Sequence, residues 1–398
     1  MESPDTPDSA PDAPTPTPRE VAGRLADAPF VQVVVAPTGA ALAASGVVAR
    51  ALRERGVPFQ ARVCRGSPTI GADDAFRLRI GTPGPADLTL ADPRRAPVLA
   101  FEVARELGVD ADPRLALAGV AAAEADPAAS TLADAAGLER SPGLGLPVAD
   151  LADGLGHSTL LHAPFSDGPD AAGATLAELS LPAELDEATH RRIASFVAIE
   201  AATARGATPR AAEAIARALN PIWLDDDAPF RTVEGYADVL SAVAREAPGT
   251  GVALALGADA RTAAIEAWRT HARHAHRMLR TADTARHSGV FVLRASPDAD
   301  VTADDDTRDA DASRLVGRLR TVARLARDYR SPEPTVLALA EGVAAAATHD
   351  DAVDVSTALE RAVTAVETGD VDGTAREADA RFESAIEPFE TAAREALS

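Results

Sequence analysis

A chain of 398 residues, 46% of them hydrophobic, is long enough to bury two or three sizeable cores and too apolar to be disordered throughout. No uncharged apolar run reaches the roughly 18 residues of a membrane-spanning helix, and the acidic, proline-rich N-terminus is the wrong chemistry for a secretory or transit leader, so a cytoplasmic protein is expected. The 61 acids outnumber the 39 bases to give a formal net charge of -22, every base is arginine, and the single cysteine, Cys64, excludes an intrachain disulfide or a multi-cysteine metal site.

Residues 1–18, with six prolines among Asp, Ser, Thr and Ala, are expected to be a disordered tail. From Arg19 an α/β domain with a mainly parallel sheet and helices on both faces is predicted over 19–180. Its opening strand is the β-branched run Phe30–Val35, followed by a Pro-Thr-Gly turn, a helix from Ala40 to Arg55 stopped at Gly56, and a second strand, Val57–Val63. Cys64 follows that strand and reads as a small buried hydrophobe. Arg77–Ile80 and Leu88–Leu90 are further short strands, and Ala96–Leu107 and Pro113–Ala123 are helices. A helical segment, 181–247, contains Glu184–Arg205, Pro209–Leu219 and Thr232–Arg245. Pro248-Gly249-Thr250-Gly251 reads as the boundary of a smaller C-terminal α/β domain, 248–398. There the pattern predicts one long helix from Asp259 to His287, strands Val290–Arg294 and Thr335–Ala340, an acidic mobile loop over Pro297–Ala312, and helices at Arg314–Asp328, Val355–Thr368 and Ala375–Leu397.

Charge of this size strains a compact fold by self-repulsion at ordinary ionic strength. In molar salt the Debye length falls to about 3 Å and the repulsion largely vanishes, so acidity without lysine points to a salt-loaded cytoplasm, as in extreme halophiles. In such a cell a negative surface does not exclude nucleic acid. Counterion release then contributes little, and any contact has to rest on local arginine clusters, stacking and hydrogen bonds.

The strand, tight turn and small-residue helix leading into ALRERGVPFQARV (51–63) resemble the opening of the DHH-family phosphoesterases, particularly archaeal RecJ-like exonucleases. AFEVARELG (100–108), LALAGVAAA (115–123) and SPGLGLPVADLADGLGHS (141–158) look like later parts of that domain. RLVGRLRTVARLARDYRSPEPTVLALAEG (314–342) resembles its DHH-associated C-terminal domain. The resemblance implies a single-stranded-DNA-specific 5'-3' exonuclease using manganese or magnesium. The ligand motifs are where the chain departs from it. The family's first motif, His-x-Asp-x-Asp-Gly, falls on Ala36, Thr38 and Ala40, and alanine offers a hard cation no lone pair. The first histidine of the chain is His157, so the Asp-His-His triplet has no counterpart in the first half of the domain; Asp92 is at most a remnant of its aspartate. The Gly-Gly-His substrate motif is also missing, with Asp372-Gly373-Thr374 in its place.

Other constellations are weaker. His271 and His274 are one helical turn apart, but Arg269, Arg273, Arg277 and Arg280 surround them, and with His276 these arginines form a basic stripe. That stripe, with Trp268 beside it as a base-stacking candidate, reads either as a contact face for nucleic acid or an acidic partner, or as a set of internal ion pairs. Arg320, Arg324 and Arg327 form a second stripe with the same two readings. The glycine pairs at 143/145 and 249/251 complete no nucleotide-binding fingerprint and read as turns. His157, Ser158, His162 and Asp167 lack a nucleophile-elbow pattern.

The reading is a catalytically degenerate RecJ-like protein of DNA replication or repair. By analogy with the eukaryotic helicase-activating relative of RecJ, it is expected to bind single-stranded DNA or the GINS and MCM proteins, with no metal cofactor. The alternatives are an active manganese- or magnesium-dependent exonuclease, with ligands drawn from Asp73, Asp74, Asp87 and Asp92, or a phosphoesterase for small substrates such as linear dinucleotides.

Overall fold

The computed structural model describes residues 16–65, 75–81, 84–166, 168–182, 185–296, 308–366 and 369–397. Residues 1–15 of the expected tail, Asp73, Asp74, Asp167 and most of the acidic 297–312 segment lie outside these residues. The chain enters through helix α1 (Pro18–Ala26), begun by a reciprocal capping box between Thr17 and Glu20. Next come β1 (Val31–Val35), α2 (Gly39–Glu54), β2 (Phe59–Val63), β3 (Phe76–Ile80) and β4 (Leu88–Leu90). The four strands form one parallel sheet in the order β2-β1-β3-β4. The central strand β1 is buried at all five positions, which is why VQVVV reads as a continuous apolar run with one glutamine. α3 (Ala96–Glu106) and α4 (Pro113–Ala122) pack against α2.

Beyond α5 (Thr131–Ala136) a helical stretch supplies α6 (Leu151–His157), α7 (Pro169–Ala177), α8 (Glu187–Thr203), α9 (Arg210–Ala216), α10 (Val233–Glu246), α11 (Pro248–Ala255) and α12 (Arg261–Thr281). The remaining elements are β5 (Asp283–His287), β6 (Val290–Arg294), α13 (Arg308–Leu325), a π turn (Ala326–Arg330), β7 (Thr335–Ala340), β8 (Val343–Thr348), α14 (Val355–Ala365), β9 (Gly369–Gly373), β10 (Glu377–Phe382) and α15 (Ile386–Leu397). They build a second sheet in the order β5-β6-β7-β8-β10-β9, antiparallel except for the β6–β7 pair.

Three apolar cores result. The first lies around the parallel sheet and takes in α10 and the first half of α12, including Trp268. The second joins the α6–α9 stretch and the end of α12 to α13 and one face of the six-stranded sheet. The third fills the other face under α14 and α15. α12 therefore runs between two cores, with Ile265 and Trp268 in one and Met278 and Leu279 in the other.

Several expectations are corrected. The long helix ends at Thr281, and the remainder is β5, paired antiparallel with β6. Ala375–Leu397 is strand β10 and then α15, and β8 and β9 lie where no strand was expected. Pro248–Gly251 is not a turn; it starts helix α11, which packs on α2 and β2 within the first core. The end of the acidic segment, from Arg308, is already helix. The sheet edges are short or charged: β4 has three residues, β2 turns Gln60 and Arg62 outward, β5 exposes Asp283 and Arg286, and β9 exposes Asp370.

Candidate functional site

In the parallel sheet the chain runs from β1 out to β2 on one side and returns to β3 on the other. The carboxyl ends of β1 and β3 therefore flank a topological switch point, the usual place for a ligand crevice. A cleft of about 560 Å³ opens there, lined by Thr38, Gly39, Ala40 and Gly81 from the first sheet's rim and by Gly373, Thr374 and Glu377 from the β9–β10 turn of the second. Each metal-motif position has another occupation. Ala36 is buried, with its N–H donated to the Ile80 carbonyl at 2.9 Å. The Thr38 hydroxyl accepts from the Ala41 N–H at 3.3 Å and so caps α2. Ala40 is buried at the start of α2. Gly81, at φ +96°, leaves no room for more: a Cβ there would lie 2.6 Å from that of Ala41 and 2.9 Å from that of Ala36.

The acids named for the catalytic alternative do not gather here. Asp92 follows the carboxyl end of β4 but is exposed and accepts from the Arg94 N–H. Asp87 precedes β4, at the opposite end of the sheet, and accepts from the Arg77 N–H. Among the described residues no group of three His, Cys, Asp or Glu side chains is disposed to hold a metal ion. With alanine at two ligand positions and a capping threonine at the third, the residues present do not fit a manganese or magnesium centre.

Cations of another kind face the crevice. Arg320, Arg324 and Arg327 all line it, joined by Arg140, Arg217 and Arg245. Arg320 is buried and donates to Asp379 at 2.9 Å. Arg327, also buried, reaches Asp328 at 2.8 Å, Glu377 at 3.3 Å and both oxygens of Glu124 at 2.9 and 3.0 Å. Arg324 donates to the Thr159 carbonyl at 2.9 Å. Arg245 is half-buried; its Nη1 donates to Thr321 at 2.7 Å, while its enclosed Nε has no hydrogen-bond partner. Burial and the neighbouring charges of Arg320 and Arg324 push Arg245 down to about 10.

Asp328 anchors the network from the π turn, a helical irregularity frequent at functional sites. It is fully buried and paired with Arg327, with Arg217 and, at 3.0 Å, with His349. Burial alone would raise its carboxyl, but these partners outweigh it and hold the group well below its usual range. Glu124 meets Arg327 from the far side of the cleft. It occupies the left-handed position after α4, at φ 56°, where a Schellman closure (Ala125 N–H to Val120 carbonyl, Glu124 N–H to Ala121 carbonyl) normally selects glycine. The backbone strain, of order 1 kcal/mol, is set against a bidentate ion pair between the two halves of the chain.

Glu234 is the cleft's titrating group near neutrality. It accepts from the Ile222 N–H at 3.0 Å and from Arg140 at 3.1 Å, yet burial pushes it up to about 7. An unfolded chain releases this proton near 4.5 and the fold keeps it to about 7, so stability falls as pH rises through that window and stays lowered above it. Glu234→Gln keeps the acceptor for Ile222 and removes the penalty. It is expected to stabilise the protein by about 1–3 kcal/mol at pH 8 and hardly at all at pH 4. Urea unfolding in one salt at both values checks this; equal changes at the two would sink it.

The α12 stripe lies elsewhere. Arg269 is held by Asp153 through two hydrogen bonds of 3.0 and 2.7 Å and by Glu266. Arg280 donates to the Ser166 carbonyl, Arg277 is half-buried and engaged, and Arg273 is exposed. His271 is buried between Glu246 and Thr321, so a carboxylate does reach that helix, though from α10. His276 stacks on His162 at 5.3 Å. Trp268, 0% exposed, donates its indole N–H to Asp238 at 2.9 Å and cannot stack on a base. Residues missed from the sequence, Glu124, Arg140, Arg217, Glu234 and Arg245, come from four separate segments and carry no shared spacing. For Glu124, Arg217 and Arg245 the local sign was a charged residue in or just after an alanine-rich helix; Arg140, in an isolated bridge to Ile222, had none.

The family described as "Uncharacterized protein rrnAC1427, C-terminal domain" matches residues 282–395. Over 395 residues, covering 96% of this chain and 98% of the relative, the sequence is 46% identical to "Uncharacterized protein rrnAC1427" of Haloarcula marismortui. Among solved structures, CDC45 from Entamoeba histolytica is similar at a TM-score of 0.58 and 10% identity, over 96% of this chain and 98% of that one. RecJ from Thermus thermophilus in complex with Mn2+ is similar at a TM-score of 0.45 and 14% identity, over 97% of this chain and 55% of that one. Identity of 10% speaks for the fold alone. The chain belongs to the family of Haloarcula marismortui rrnAC1427 and has the α/β fold of CDC45.

Proposed function

We propose that this chain is a catalytically degenerate RecJ-like protein of DNA replication or repair, which binds single-stranded DNA or the GINS and MCM proteins without cutting DNA. One observation carries the reading. At the carboxyl end of the parallel sheet, where two-metal phosphoester hydrolysis needs converging carboxylates, Ala36, Thr38, Ala40 and Gly81 offer none, and arginines line the same cleft. Guanidinium groups hold phosphate oxygens by paired hydrogen bonds, but they do not lower the pKa of water, so the arrangement supports binding and not hydrolysis. The CDC45 fold supports the placement in replication at the level of analogy.

The test is run in molar potassium chloride with manganese present. Labelled single-stranded DNA is expected to be bound and recovered at full length, and GINS or MCM proteins to be retained on the immobilised chain. Manganese-dependent release of mononucleotides would restore the exonuclease alternative. Retention of neither DNA nor replication proteins would remove the binding role.

A further inference from the structure

We propose that the cleft contains a metal-independent oxyanion pocket, centred on Arg245 and Arg324, that takes the phosphoryl group of a nucleotide-sized phosphomonoester. This rests on the cleft being a binding site, as proposed above, and says what occupies it.

The first support is an inversion of charge. Acids outnumber bases 61 to 39 over the whole chain, yet eight arginines and five carboxylates line the cleft. One of those five, Glu234, is pushed up to about 7 by burial, and Asp238 is buried and engaged by Thr159 and Trp268. With the buried Asp328 and Asp379 behind the lining spent on Arg217, Arg320 and Arg327, the excess falls on Arg245 and Arg324, where low dielectric preserves short-range attraction that molar salt removes from the surface.

The second support is which cations lack a carboxylate. Arg140, Arg217, Arg320, Arg327 and Arg376 each form an ion pair. Among the described residues, Arg94, Arg245 and Arg324 form none; Arg94 is exposed, while Arg245 and Arg324 both sit beside Arg320. Arg245 gives one hydrogen bond to a hydroxyl, and its Nε is enclosed and unpartnered. Two guanidinium groups crowded against a third, without carboxylates of their own, cost stability unless an anion joins them. A divalent cation would be repelled there. A phosphoryl dianion matches the two forks in charge and geometry.

The third support is size and shape. A volume of about 560 Å³ suits a small organic ligand. Its walls also carry apolar surface, from Ala121, Ala122, Leu160 and Leu219, beside the hydrogen-bonding side chains of Asn220 and Ser241, a mixture that fits the uncharged part of a nucleotide. The N-terminus of α2, 16 residues long, ends at the same rim through Thr38 and Gly39 and adds a favourable dipole.

Calorimetric titration in molar potassium chloride with EDTA tests the pocket, using deoxyadenosine monophosphate, deoxyadenosine and inorganic phosphate. The monophosphate is expected to bind at least about tenfold more tightly than the nucleoside or free phosphate. Arg245→Gln and Arg324→Gln should each weaken it about tenfold, the effect of removing one charge-assisted hydrogen bond. Arg324→Lys keeps the charge without the fork and should fall between. Arg191→Gln, on the exposed face of α8, should change nothing, and thermal unfolding establishes that each variant is folded. Binding that requires added manganese, or equal binding of nucleoside and monophosphate, overturns the pocket. Inorganic phosphate binding as tightly as the monophosphate overturns the nucleotide-sized assignment. Single-stranded DNA bound when the monophosphate is not would overturn this pocket and leave the proposed function standing; the reverse would keep the pocket and remove the DNA.

Discussion

Asp328→Asn is expected to destabilise the protein by about 3–5 kcal/mol, the largest single effect foreseen outside the apolar cores. The carboxylate is 0% exposed and shared among Arg327, Arg217 and His349. The substitution preserves shape and removes the fully buried charge that Arg327 and Arg217 share, leaving them only Glu124 and Glu377, and breaking a buried ion pair on one side is what makes it costly. The group's carboxyl is held well below its usual range, so its contribution is present above about pH 4 and is lost only as pH falls through the lower folded value. At pH 7 the whole contribution is therefore at stake. Denaturant unfolding of both proteins at neutral pH in the same molar salt checks it; a loss under about 1 kcal/mol would show that the network is solvent-screened and not a linchpin.

Arg245→Met is expected to act in the opposite direction, stabilising the unliganded protein by about 1–3 kcal/mol while weakening phosphomonoester binding. Burial and the adjoining charges of Arg320 and Arg324 bring this guanidinium down to about 10, so at neutral pH the fold carries a cation it disfavours. The full cost applies below about pH 10 and fades only above it. Methionine keeps most of the aliphatic stem and fills the site without charge. A gain in stability accompanied by weaker binding marks a residue retained for a ligand. A thermal midpoint that drops on substitution would instead make Arg245 a structural residue, held for its hydrogen bond to Thr321.

Much of this architecture could be read from the sequence where local and tertiary preferences agree. VQVVV, the small-residue helix after it and the later strands of the parallel sheet combine β-branching or alanine with the expected burial, and they are found within a few residues of the expected places. Disagreement hid the rest. Val343–Thr348 is VAAAAT, whose four alanines favour helix, yet the segment lies between β7 and β10 with every side chain buried, so sheet pairing overrides propensity. The β9–β10 hairpin was hidden by glycines and acids that suit a loop equally well.

The site divides in the same way. That Ala36 and Ala40 offer a cation no lone pair is visible without coordinates, whereas the capping role of the Thr38 hydroxyl is not. Arg320, Arg324 and Arg327 are visible as a stripe, but their direction is not, since a buried cationic wall and an exposed one share the same spacing. Glu124, Arg217 and Arg245 meet only through long-range folding.

The outward-facing charges on the terminal strands of both sheets bear on edge-to-edge association in concentrated salt. Concentrated salt strengthens hydrophobic association and shortens the reach of repulsion between like-charged molecules, so net charge no longer keeps neighbours apart. What still works at close range is dehydration: another backbone could add itself beside β2, β5 or β9 only by stripping water from Arg62, Arg286 or Asp370. Protection from strand-to-strand aggregation thus resides in individual edge residues, and does not fade as the solvent becomes a brine.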